Sequence, residues 1–337
     1  MTPKQRVFER IAGNKVDKIP NLSISSWFSA KYANIDYGTF CSDYRALVAA
    51  QTKTTKDFGL DILSTMSDPY RETYDFGATV LFFRDQPPVC NIPFINDLNN
   101  CHDLRKWDPF ASERTLDRLK AIKLFKKNLG DEYPILGWVE GPLSQFCNLA
   151  TLNLGMSALN DDEDEIKAIL DFITEQEISC ALSQIQSGAD IIGIRENIAS
   201  LLSVDSYKNL ILENEMKIIK AIHDAGAISK LHIEGNINHI FSSMLMSNTD
   251  ILDIDHFVNF DKAIEMSKGI CTLAGHIEAA GIILRGNVKE IKGWVDYCIK
   301  HGGDNFIISS GSEVSPQTPL ANFSAINERL IEIGANY

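Results

Sequence analysis

Short apolar runs rich in β-branched residues alternate along the chain with longer segments whose apolar positions recur every three or four residues. The first kind predicts strands at Ile19–Ile24, Leu60–Thr65, Ile135–Val139, Ile191–Ile194, Ile228–Ile233, Ile251–Ile254, Ile270–Leu273 and Phe306–Ser309. The second predicts helices between them. Val204-Asp205-Ser206 reads as an N-cap, and Leu210, Ile211, Ile218, Ile219 and Ile222 keep one face before Gly226 closes the element. After Asn287, the positions Ile291, Trp294, Val295, Cys298 and Ile299 hold the same spacing up to Gly302-Gly303. A long helix is expected from Asn160 to Gln186, its acidic cluster at 161–165 suiting the positive end of the helix dipole. Eight strands alternating with helices in 337 residues predict a (β/α)8 TIM barrel, read as one domain over 1–337 with a short hairpin inserted near 75–84. A doubly wound open sheet is the main competitor, but it calls for a Gly-rich phosphate loop after its first strand, and none follows Ile24.

Composition narrows the class of function. Hydrophobic residues at 45% and charged residues at 23% suit a globular chain with a large core. A net charge of −13 argues against nucleic acid, whose partners need a basic surface to displace counterions. No run approaches the roughly 18 apolar residues of a membrane span. Thr2-Pro3-Lys4-Gln5-Arg6 leads into an amphipathic helix and not a signal segment. Seven cysteines with no Cys-X-X-Cys pair read as scattered reduced thiols. These features predict a cytoplasmic enzyme without nucleic-acid or membrane partners.

In a barrel of this kind the reacting groups sit just past the C-terminal ends of the strands. The polar residues at those ends are Asn21 and Ser23, Ser67 and Asp68, Glu140, Glu196 and Asn197, then His232, Glu234 and Asn236. Asp253, Asp255 and His256 follow, with His276 and Glu278, and finally Ser310, Ser312 and Glu313; Arg195 is the one clear cation. Such an acceptor-rich mouth favours a ligand with many hydrogen-bond donors, such as an aminopyrimidinone, over a polyphosphate. Lys230-Leu231-His232-Ile233-Glu234-Gly235-Asn236 is its most specific stretch. His232 and Glu234 stand two apart, where a strand points both side chains the same way, and both are potential zinc ligands. A third ligand is expected near Ser309–Val314, yet position 312 offers only a neutral serine hydroxyl.

Arg6-Val7-Phe8-Glu9-Arg10-Ile11-Ala12-Gly13, followed by Val16-Asp17-Lys18-Ile19-Pro20, resembles the opening of the uroporphyrinogen decarboxylase superfamily. Leu273-Ala274-Gly275-His276-Ile277-Glu278 is similar to its Gly-Asn-Ile-Asp segment, and Val139-Glu140-Gly141-Pro142 and Gly188-Ala189-Asp190 fall where the family has similar strings. The resemblance implies a (β/α)8 barrel. The decarboxylase branch fits poorly, because Trp27-Phe28-Ser29-Ala30-Lys31 replaces the arginine-rich motif that meets a polycarboxylate tetrapyrrole. The corrinoid-dependent methyltransferases fit better: the His232 stretch resembles their zinc motif His-X-Cys-Gly-Asn, and Ser309-Ser310-Gly311-Ser312-Glu313-Val314 resembles the segment carrying their last cysteine ligand. Glu234 and Ser312 stand where those cysteines would be.

The departure has a chemical meaning. Zinc in these enzymes activates a thiol acceptor by lowering its pKa. The N5 amine of tetrahydrofolate is already nucleophilic at neutral pH and needs no metal. The resemblance therefore implies a methyltransferase moving a methyl group from a methylated corrinoid, methylcobalamin or a corrinoid protein, to tetrahydrofolate without zinc, as in glycine betaine demethylation. On this expectation Glu234, His232 and Asn197 are catalytic, with Glu234 pairing the pterin or taking its proton and Asn197 steadying N5. Asn21, Ser67, Asp68, Glu140, Glu196, Asn236, Asp253, His256, His276, Ser310 and Ser312 line the substrate site, and no metal is expected. Two rivals remain: a zinc-dependent transfer to coenzyme M or homocysteine, and a non-catalytic protein that binds a corrinoid protein.

Overall fold

The computed structural model describes residues 1–159 and 163–334. In chain order its strands are Leu63–Ser64 (β1), Thr79–Leu81 (β2), Val89–Ile92 (β3), Ile135–Glu140 (β4), Ile191–Arg195 (β5), Ile228–Ile233 (β6), Ile251–Ile254 (β7), Thr272–His276 (β8) and Phe306–Ser309 (β9). Seven pair in parallel in the order β1-β4-β5-β6-β7-β8-β9, while β2 and β3 form a separate antiparallel hairpin. The curled sheet with its surrounding helices is a (β/α)8 barrel.

The expected first strand, Ile19–Ile24, is reduced to a single bridge between Asn21 and Ile308, and this is what closes the barrel. Leu22 N–H donates to Ile308 at 2.8 Å, and Asp61 N–H donates to Asn21 at 2.9 Å on the other side. A full ladder cannot form there because Pro20 has no N–H and side chains take the next ones. Asn21 N–H goes to Asp61, Ser23 N–H to Asn21 Oδ1 and Ile24 N–H to Ser310 Oγ. The second expected strand shrinks to β1. The seventh begins later than expected, since the Ile270 and Cys271 amides turn back to Ser267.

Among the helices, Val288–Gly302 starts at Asn287 with a reciprocal Glu290 bond, as the spacing predicts. The cap before the 204–224 segment is Ser203 and not 204–206, and a π turn over Tyr207–Ile211 precedes Leu212–Asp224. The long helix runs Glu163–Ser187; residues 160–162 of the expected start lie outside the described residues. No described helix is long and apolar enough to cross a membrane.

Strand alternation divides the core. Leu136, Trp138, Ile191, Ile251, Ala274 and Ile307 fill the barrel with Leu22 and Ile24, while their neighbours in sequence pack outward under the helices. The same alternation turns Glu140, Arg195, Lys230, His232 and Asp253 to the inside. Gly193 makes room for Trp138, whose ring carbon would lie 2.4 Å from a Cβ there.

Candidate active site

At the C-terminal end of the barrel, β6 and β7 are in register with His232 opposite Asp253. His232 is buried and both its ring nitrogens face carboxylates: Nδ1 lies 2.9 Å from Asp253 Oδ2 and Nε2 lies 3.3 Å from Glu234 Oε1. Burial opposes charging the ring, but the bonds to Asp253 and Glu234 outweigh it and raise its pKa. Lys230, fully buried one turn of the pleat below, pairs with the same Asp253 oxygen and lies over the Trp138 ring at 5.0 Å. Against the cost of burial, Lys230 and His232 together hold Asp253 below its usual range. Glu234 closes this chain. Asn197 Nδ2 donates to Glu234 Oε2 at 3.0 Å, and Asn197 Oδ1 accepts from the Glu234 amide at 3.1 Å. Although partial burial works against it, the bond from His232 holds Glu234 below the ordinary carboxylate range.

A cavity of about 120 Å³ opens beside this chain, lined by Trp27, Tyr37, Trp138, Glu140, Arg195, Glu234 and Glu313 among others. Burial pushes Glu140 up to about 7 despite Arg195 Nη1 at 3.3 Å. Glu313 is exposed at the mouth and accepts from the Trp27 amide at 2.7 Å. One carboxyl pushed toward neutrality, Glu140, and one held ionised, Glu234, thus face a single recess, with Glu313 at its mouth. That combination can anchor a ligand rich in donors and accept a proton from it.

The expected site residues separate in the structure. Ser67, Asp68, Glu140 and Glu234 line the cavity, with Asn197, His232 and Asp253 supporting it from behind. Asp68 is buried under the paired donors of Arg114 at 2.8 and 2.9 Å, which leaves it little acceptor capacity for a ligand. Glu196 points away. It accepts from the amides of Leu143 and Ser144 and the Ser144 hydroxyl, capping the helix Pro142–Ala150, and it packs on Gly141 so closely that a Cβ there would lie 2.3 Å from its carboxylate. His276 Nε2 donates to the Val258 carbonyl at 3.0 Å, which fixes this nitrogen as the N–H, and the ring stacks on Phe260. Asn21 is fully buried at the closure, Ser310 receives the Ile24 amide, and Asn236 is exposed and bonded to Asn238. His256 pairs with Asp255 at 2.6 Å, and Ser312 is half-buried in the loop after β9.

The aromatic wall of Trp27 and Tyr37 was not foreseen. It comes from the segment between the degenerate first strand and β1, where no strand-end rule points. Arg195 and Glu313 stand at strand ends in the sequence, and the cavity shows what they contribute there.

The zinc positions of the resembled motif are held by His232, Glu234 and Ser312. Neither nitrogen of His232 is free, Ser312 is neutral, and among the described residues no group of three or more His, Cys, Asp or Glu side chains is arranged to hold a metal ion.

The family model for uroporphyrinogen decarboxylase (URO-D) matches residues 2–332. The chain is 28% identical over 246 residues to the methylcobamide:CoM methyltransferase MtaA of Methanosarcina barkeri, covering 72% of this chain and 70% of that one. It is 22% identical over 346 residues to the methylcobamide:CoM methyltransferase MtbA of Methanosarcina mazei, covering 100% and 98%. A solved methyltransferase from Methanosarcina mazei superposes with a TM-score of 0.90 over 99% of both chains at 23% identity, which shows the shared fold.

Proposed function

The chain belongs to the uroporphyrinogen decarboxylase family, and within it we propose a methyltransferase that moves a methyl group from a methylated corrinoid to N5 of tetrahydrofolate without zinc. One observation carries this reading. Where a metal-activated thiol would need free ligand atoms, His232 is enclosed by Asp253 and Glu234, and Glu234 becomes a fixed anion facing the cavity. A carboxylate in that position accepts two hydrogen bonds from the pterin N3–H and 2-amino group. In the transfer, the N5 lone pair attacks the methyl carbon, the Co–C bond breaks with both electrons left on cobalt, and the N5 proton passes to a base. Glu140 is that base: its pKa near 7 suits proton acceptance at neutral pH, whereas Glu234 is held too acidic for it. Arg195 orients Glu140, and the recess supplies proximity. The corrinoid arrives on its own carrier protein at the open mouth.

The test is to mix chelator-treated protein with methylcobalamin and tetrahydrofolate and follow the methyl-Co(III) spectrum. Folate-dependent demethylation is expected. Its absence, with a cognate corrinoid protein also supplied, sinks the reading.

A second reading is favoured by the names of the relatives: a zinc-dependent transfer to a thiol such as coenzyme M. It requires one tightly held zinc per chain and loss of activity on chelation.

A further inference from the structure

A second recess of about 430 Å³ adjoins the first and shares Trp27 and Tyr37 with it. These two rings stack at 5.2 Å with planes 19° apart; Tyr37 is buried with Phe40 on its other face, so half-buried Trp27 is the ring that faces both recesses. Beyond Trp27 the lining is mixed in charge, with Lys31 and Arg84 beside Asp36 and Asp85. Lys31, exposed at the end of the helix Ser26–Tyr32, makes no ion pair among the described residues. Arg84 has Asp85 at 3.7 Å, both largely in solvent, a contact worth little, and its charge also acts on Asp36. Its backbone is anchored at the recess, because its carbonyl accepts the Tyr37 amide at 2.7 Å. Asp36 also lines the recess, but both its oxygens are engaged by Thr39 at the start of the next helix. Lys31 and Arg84 thus stand on the outer side of Trp27, while the carboxylates of Glu140, Glu234 and Glu313 line the recess on its inner side.

We propose that this outer recess binds the acidic tail of the acceptor, with the aminobenzoyl ring along Trp27 and the glutamyl carboxylates at Lys31 and Arg84. The inference rests on the tetrahydrofolate reading above. It specifies a tailed, and preferably polyglutamylated, folate over a bare tetrahydropterin. The polarity matches: the pterin end brings donors to Glu234, and the tail brings acceptors to the cations.

The experiment compares methyl transfer from methylcobalamin to tetrahydrofolate monoglutamate, tetrahydrofolate triglutamate and tail-less 6-methyltetrahydropterin, in the wild type and in K31A/R84A. Each kcat/KM is divided by that for the tail-less acceptor, so any general loss cancels. In the wild type the triglutamate is expected to exceed the monoglutamate by about tenfold, chiefly in KM, with the advantage shrinking at high salt. In the double variant the two should be equal. Transfer to all three acceptors with no tail preference, or a preference that survives in K31A/R84A, overturns the tail site while leaving the folate reading intact. Failure of the wild type to methylate any of the three overturns both.

Discussion

Nε2 of His232 lies 3.3 Å from Oε1 of Glu234, while Nδ1 of the same ring lies 2.9 Å from Asp253. An imidazole between two carboxylates is stabilised as the imidazolium, with an N–H for each. A proton on His232 thereby supplies the positive charge that keeps Glu234 ionised toward the cavity. Replacing Glu234 by Gln removes the anion but keeps the shape and the Asn197 contact. E234Q is expected to raise KM for tetrahydrofolate at least about tenfold, with kcat within a few-fold, the pattern of a lost binding contact. Steady-state kinetics and a folate titration check it, and an unchanged KM would remove Glu234 from pterin recognition.

Glu140 answers to a different readout. Its carboxyl is pushed up to about 7 by burial, so below that pH it is protonated and cannot take the N5 proton. The sign follows: kcat should rise with pH through about 7 and level off above it. E140Q should lower kcat by about 10²–10⁴-fold and lose that rise. A variant that keeps the wild-type pH profile would show that the proton leaves by another route.

Metal removal separates the two functional readings directly. With His232 enclosed and no third ligand arranged among the described residues, dialysis against a chelator is expected to leave folate-dependent transfer unchanged within error. Elemental analysis of the same sample should find far less than one zinc per chain. A full equivalent of zinc, with activity lost on its removal and restored on its return, would favour thiol transfer.

Much of the barrel was legible because its strands are short β-branched runs, and β4, β5, β6, β7 and β9 fall where those runs lie. The first strand was overread. Ile19–Ile24 has a strand's composition, but Pro20 and the side chains of Asn21, Asp61 and Ser310 redirect its backbone hydrogen bonds, and that competition cannot be seen in an apolar pattern. At the site, His232 and Glu234 were legible as an i, i+2 pair on one strand face. The contacts of the other carboxyls were not: alternation gives Glu140 the inward parity of Leu136 and Trp138 and Glu196 the outward one, but only tertiary packing sets the cavity beside the first and the helix start under the second. Trp27 and Tyr37 were hidden for a related reason, since their helices pack over the mouth by long-range contacts.

The buried Lys230–Asp253 pair under the site gives a prediction about stability. Both side chains are wholly buried and paired, and His232 shares the carboxylate. K230M removes one cation and leaves Asp253 in the interior with His232 as its remaining positive partner. Breaking a buried pair from one side costs about 3–5 kcal/mol. The pH dependence then follows from His232, whose folded pKa is raised. Its contribution is fully present below the unfolded value of about 6.5 and is lost as pH rises through the folded value. In K230M that loss also strips Asp253 of its last cation. The stability deficit against wild type should therefore widen as pH is raised from about 6 to about 9, measured by urea unfolding at each pH. A deficit that stays constant over that range would show that His232 carries no proton for Asp253 to share.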